Sequence, residues 1–172
     1  MLVNREKYLS KIKPLYDLDI IKVLMGSRRS GKSKILELII NELLEKGVDK
    51  NHIISINFED LSFEDIDDYK KLNTYIKEKV SDGKHYLFFD EIHHVKHFEK
   101  AINSFRVSMD CSIFITGSNS NDYDRGRFLE NIIWLELLSR GYEVFIGKTY
   151  KGEVDFVAMK NGKNVLYKWL IF

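Results

Sequence analysis

One cysteine, Cys111, stands in 172 residues, so the chain cannot close an intramolecular disulfide. It opens an apolar run, the setting of a small buried thiol in a reducing compartment. The single proline, Pro14, leaves the rest of the chain free of that helix breaker. Basic and acidic residues nearly cancel at 27 Lys+Arg against 26 Asp+Glu, and the net charge of +1 sets up no global field for nucleic acid or membrane. No apolar run approaches the roughly 20 residues that span a bilayer. The opening residues MLVNREK are charged at once, unlike a secretory signal. There are no internal repeats and no low-complexity tracts. These absences point to a soluble cytoplasmic protein with no membrane partner.

What is present suits a packed core. Hydrophobic residues make up 44% and charged residues 31%, the balance of a globular chain, and eleven Phe with nine Tyr supply large apolar surfaces. The length fits one domain, or one domain plus a fragment.

Residues 4–13 carry an amphipathic helical pattern that Pro14 is expected to end. Residues 19–25 read as a buried strand stopped by Gly26. Over residues 32–46, Ile35, Leu36, Ile39, Leu43 and their neighbours recur at helical spacing, and Gly47 offers a C-cap. A second strand follows at 52–58. Ser62 and Asp65 suggest a loose cap for an acidic helical stretch, and a further helix covers 71–80. A strand at 85–89, a helix at 98–107 and a strand at 111–116 complete the pattern. Strands alternating with helices predict an α/β fold, a parallel sheet with helices on both faces, over residues 1–120. The polar stretch 121–126 marks a boundary. Beyond it, a helix at 127–139 and strand-like runs at 142–147, 153–159 and 164–172 read as a small α+β segment, short for an independent core.

Gly26, Ser27, Arg28, Arg29, Ser30, Gly31, Lys32 and Ser33 match the phosphate-loop pattern G-x-x-x-x-G-K-[ST] without a mismatch, between a strand and a helix. In such a loop the glycines let backbone N–H groups wrap phosphate oxygens, and the helix adds the positive end of its dipole. Lys32 would reach the terminal phosphates and the Ser33 hydroxyl would ligate Mg²⁺. The side chains of Arg28 and Arg29 more often face solvent in this setting.

The run YLFFDE, residues 86–91, is a buried strand ending in two acids at the crevice of a parallel sheet. Asp90 is placed to hold Mg²⁺ and Glu91 to polarise an attacking water; the competing reading of Glu91 is a solvated acid capping a helix. At the end of the next strand, Thr116 or Asn119 would sense the γ-phosphate and orient the water, unless this is a plain strand-ending turn.

These residues carry a resemblance. The segments IKVLMGSRRSGKS, INFED, LFFDEIHHV and FITGSNS are similar to the P-loop domain of prokaryotic AAA-type ATPases, which resembles an ATP- and Mg²⁺-dependent machine. In that family a winged-helix region and a domain resembling PD-(D/E)XK nucleases follow. The segments RFLENIIWLELLSRGYEVFIGK and GEVDFVAMKNGK resemble that last domain, with no segment matching the middle region. By that resemblance Glu130 and Asp155 are two metal-holding carboxylates; Leu166, ahead of Lys168, breaks the pattern, and the ending LYKWLIF suggests truncation or a frame change. No segment matches the family's arginine-bearing stretch, a feature that is worth about 10³–10⁵ in phosphoryl-transfer rate.

His85, His93, His94 and His97 invite a metal reading, but no cysteine or carboxylate spacing completes a tetrahedral set. The acidic run at 64–68 reads as a solvated helix face, and Trp134 and Trp169 as core of the C-terminal segment. Three functions remain in view: an ATPase of weak turnover, a binding module whose nucleotide state a protein partner or a second copy reads, and a nucleic-acid-associated ATPase or nuclease remnant.

Overall fold

Runs rich in Ile, Val and Phe favour pleated, buried surfaces. Four of them become β1 (Ile21–Gly26), β2 (Ile53–Asn57), β3 (His85–Asp90) and β4 (Cys111–Ser118). The structure is a computed structural model that describes residues 9–10, 12–18, 21–26, 29–118, 142–149, 152–160 and 163–167. The four strands form one sheet, all parallel, in the order β1-β4-β3-β2. Helices α1 (Lys32–Glu45), α2 (Tyr69–Lys79) and α3 (Phe98–Ser108) connect them.

The order explains the layers. The chain steps from β1 to the far edge at β2, then returns through β3 to β4. Right-handed crossovers made in opposite directions put α1 on one face and α2 with α3 on the other. Alternation along the strands supplies both cores. On the α1 face, Ile35, Leu36, Ile39 and Leu43 pack with Leu24, Tyr86, Phe88 and Phe114. Phe88 and Phe114, opposite each other in register, stack with centroids 4.6 Å apart. On the other face Leu87, Phe89, Ile113 and Ile115 are fully buried, and Phe89 lies 6.2 Å from Phe105 of α3.

Gly47 ends α1 as its position implied. It adopts φ +89°, and the bonds Gly47 N–H to Leu44 O and Val48 N–H to Leu43 O, both 3.0 Å, satisfy the last carbonyls.

Helical backbone at Leu9, Ser10 and Ile12 gives way to a 3₁₀ turn over Lys13–Leu15, where Pro14 occupies the first turn and its missing N–H costs nothing. One local expectation needs correction. The acidic stretch is not a helix face. Asp60 caps a 3₁₀ turn at Leu61–Phe63, the chain then turns to bury Ile66, and Asp68 accepts from the N–H groups of Lys70 (2.7 Å) and Lys71 (3.1 Å) as the N-cap of α2. Short acidic side chains that bond the backbone just ahead of them favour turns and caps over helix interiors.

The N-terminal segment is pinned to the sheet by polar contacts. Lys22 on β1 is buried, and its ammonium donates to Leu18 O at 2.6 Å and Ser112 Oγ at 2.7 Å. Ser112 Oγ in turn donates to Tyr16 O. Tyr86 OH and Lys84 both donate to Asp17, at 2.7 and 3.0 Å.

Backbone contacts divide the chain into the units Met1–Ser118 and Asn119–Ile171. In the second, β5 (Glu143–Thr149), β6 (Gly152–Lys160) and β7 (Lys163–Tyr167) form an antiparallel sheet in that order. The register shifts between Phe145 and Gly147. The helix expected at 127–139 lies outside the described residues. Among the described residues no helix is long and apolar enough to cross a membrane.

Candidate functional site

The described part of the loop after β1 turns sharply into α1. Gly26 ends β1, paired in register with Ser118. Arg29 (φ 64°) and Gly31 (φ 87°) both take left-handed conformations, and α1 begins immediately after. Such turns aim successive N–H groups into one concavity. Glycine adopts this region without strain, whereas another residue at Gly31 would lose about 1–2 kcal/mol. The first turn of α1 has no side-chain cap and no acidic residue, so its positive end is not neutralised from within the helix. Ser30 Oγ is buried with no hydrogen-bond partner among the described residues. Ser33, in the first turn of α1, is exposed, as is Arg29; Ser27 and Arg28 lie outside the described residues.

The acids at the end of β3, Asp90 and Glu91, sit at the same end of the sheet, since β1, β4 and β3 are parallel neighbours. Asp90 is 7% exposed and Glu91 8% exposed, so neither is an ordinary surface carboxylate. One hydroxyl organises both. Thr116 Oγ1, on β4, donates to Asp90 Oδ1 and accepts the backbone N–H of Glu91 at 2.9 Å. That contact holds Glu91 at φ 52°, a left-handed conformation that costs a non-glycine residue about 1–3 kcal/mol. Thr116, a candidate phosphate sensor, commits its hydroxyl hydrogen and one of its two acceptor positions to the acidic pair. Asn119, the other candidate, lies outside the described residues.

Lys32 bridges the two halves. Its ammonium, 4% exposed, lies 3.3 Å from Glu91 Oε1. Glu91 Oε2 lies 3.3 Å from His93 Nδ1, in ion-pair range but without hydrogen-bond geometry. Glu91 is therefore not a solvated helix cap, and removing one partner of so buried a pair typically costs about 3–5 kcal/mol.

The histidines divide between the two ends of the sheet. His85 starts β3, bonded at Nε2 by Ser81 N–H and set against His52 with ring centroids 4.8 Å apart. His93 and His94 follow Glu91 at the opposite end, and His97 is exposed. Among the described residues no three His, Cys, Asp or Glu side chains converge as a metal set. His93 is the site residue that sequence reasoning passed over. Its signal was the spacing from Glu91, two residues on within a tight turn.

The family model described as an AAA domain matches residues 19–130. An uncharacterized protein of Haemophilus influenzae is 38% identical over 122 residues, covering 70% of this chain and 30% of that protein. An uncharacterized protein of Methanocaldococcus jannaschii is 36% identical over 105 residues, covering 58% of this chain and 21% of its own length. The chain thus spans less than a third of either curated relative. No solved structure matches it.

Proposed function

Because the chain belongs to the AAA domain family, we propose that it binds ATP with Mg²⁺ in the loop after β1 and hydrolyses it slowly. The N–H groups of residues 26–33 cradle the phosphates, Lys32 neutralises the terminal ones, and Glu91 accepts a proton from the attacking water. Ser33 and Asp90 are the residues that would hold Mg²⁺. They fit: a hydroxyl and a carboxylate are the hard oxygen donors it prefers, and Thr116 occupies only one of the several acceptor positions of Asp90. Bound there, Mg²⁺ would offset charge on the phosphate oxygens.

The observation that carries the reading is the 3.3 Å approach of Lys32 to Glu91, since it brings the loop and the acidic strand end to one point. A lysine that pairs with the proposed base is within reach of the phosphates that base would serve. Slow turnover follows from the lack of a counterpart to the family's arginine-bearing stretch. A binding module without turnover is the second reading, and the buried, left-handed setting of Glu91 favours hydrolysis over it. For the second unit, the nuclease resemblance supplies Asp155, on β6, and Glu130, outside the described residues; we assign it no cleavage role.

Calorimetric titration with ATP, with Mg²⁺ and with excess chelator, tests the binding, and phosphate release tests the turnover. Saturable binding weakened by the chelator is expected. No binding in either condition removes the proposal, and binding without measurable phosphate release leaves the module reading in its place.

A further inference from the structure

Glu91 is gripped from two sides, and one grip is temporary. Lys32 holds Oε1 and His93 stands beside Oε2, each at 3.3 Å, with side-chain exposures of 4% for Lys32, 10% for Glu91 and 13% for His93. An ammonium cannot serve a carboxylate and a terminal phosphate equally. The phosphate carries more charge and gains the loop's N–H groups as well, so nucleotide draws Lys32 off Glu91.

His93 is the partner that stays. It lies in the 3₁₀ turn Ile92–His94, closed by His94 N–H to Glu91 O at 3.2 Å and Val95 N–H to Ile92 O at 2.9 Å. Ile92 and Val95, each 1% exposed, anchor that turn in the core. The ring of His94, an exposed residue, stands 4.5 Å from that of His93 and closes its outer side. The turn and its buried anchors thus set the place of His93 beside Glu91.

The geometry points to His93 as the positioning residue of the proposed base, an inference that rests on the hydrolytic reading above. Once Lys32 has turned to the phosphates, the Nδ1–H tautomer of His93 closes onto Glu91 Oε2 and leaves Oε1 for the water. The water oxygen then bonds to the γ-phosphorus and the bond from that phosphorus to the β–γ bridging oxygen breaks. ADP leaves with the electron pair, and the water's proton passes to Oε1 before its release with phosphate. His93 touches neither water nor nucleotide.

Steady-state phosphate release and calorimetric ATP binding, measured on the whole chain with His93→Ala and His93→Asn, test this. His93→Ala lowers kcat about 10–100-fold, the loss of one charge-assisted hydrogen bond, and KM and ATP affinity stay within about twofold. His93→Asn, whose amide N–H stands near the place of Nδ1, restores most of kcat. In a Glu91→Gln background His93→Ala has no further effect on rate. Should the alanine variant not fold, His93→Leu fills the space without a donor and takes its place. An unchanged kcat in a folded His93→Ala or His93→Leu protein overturns the role while leaving the ATPase reading intact, as does an Asn variant as slow as Ala. A wild-type chain that binds ATP but releases no phosphate overturns both together.

Discussion

Lys32 Nζ and Glu91 Oε1 stand 3.3 Å apart, joining the first residue of α1 to the residue that follows β3. The contact makes the residue that would receive phosphate and the residue that would activate water competitors for each other. Nucleotide has to separate them, so the pair sets both the affinity and the timing of the proposed reaction.

Glu91→Gln accordingly separates binding from turnover. The neutral amide holds Lys32 less strongly, so ATP binds about 3–10-fold more tightly, a change of roughly a kcal/mol. Loss of the base lowers kcat by about 10²-fold or more. Calorimetry and phosphate release on one preparation give both numbers. Weaker ATP binding in the variant would show that the pair does not compete with nucleotide.

Thr116→Val keeps the shape and removes the hydroxyl that Asp90 and Glu91 share. The N–H of Glu91 is left without that acceptor, and urea unfolding should show a loss of about 1–3 kcal/mol. Thr116→Ser, which keeps the hydroxyl, should lose less than half as much. A Thr116→Val loss no larger than that of Thr116→Ser would show that the two hydrogen bonds of the hydroxyl add little to stability.

Much of this site was legible because its chemistry is written in short linear spacing. Gly26 to Ser33 and Asp90-Glu91 are read without knowing the fold. The stitching was not legible. Thr116 is 25 residues from Glu91, and only the β3–β4 pairing makes the contact. His93 reads in sequence only as an incomplete metal ligand, lacking a cysteine or carboxylate spacing to complete the set; the tight turn sets it against Glu91 and leaves His94 exposed. The stretch at 64–68 misled because acid-rich runs at helical spacing resemble a helix face, whereas Asp60 and Asp68 each bond backbone just ahead and fold the chain into turns. In the second unit, three strand-like runs are legible in the sequence, but not their register.

The two turn devices in the first unit make a calibrated pair. Asp68→Ala removes an N-cap with two N–H partners and should lower stability by about 1 kcal/mol. Gly47→Ala meets nothing within 4 Å of the added Cβ, so its cost is conformational alone, about 1 kcal/mol from φ +89°. Urea midpoints followed by circular dichroism check both, and neither change should alter ATP affinity.

Stability should fall at high pH through Tyr86. Burial first, then its bond to Asp17, pushes its phenol up to about 12. An unfolded tyrosine titrates near 10. A raised folded value means the stabilisation is complete below about pH 10 and is lost as pH rises through 12. Tyr16 adds to this, its phenol also raised by burial and by Glu42. At the acid end the sign reverses: Tyr86 and then Lys84 hold the Asp17 carboxyl low, so its small contribution is present above the ordinary range and lost as pH falls through the depressed value. Tyr86→Phe should flatten both limbs of the stability profile and leave the share due to Tyr16. An alkaline limb identical in the two proteins would contradict the assignment.

The central claim is that Gly26 to Ser33 hold nucleotide phosphate through Lys32. Lys32→Ala alone would strand a buried Glu91 carboxylate, so the decisive comparison is calorimetric ATP affinity in Glu91→Gln against Glu91→Gln with Lys32→Ala. The expected result is a loss of about 10–100-fold or more on removing the lysine, the scale of one or two charge-assisted bonds to phosphate, with both proteins equally folded. Equal ATP affinity in the two would contradict the claim.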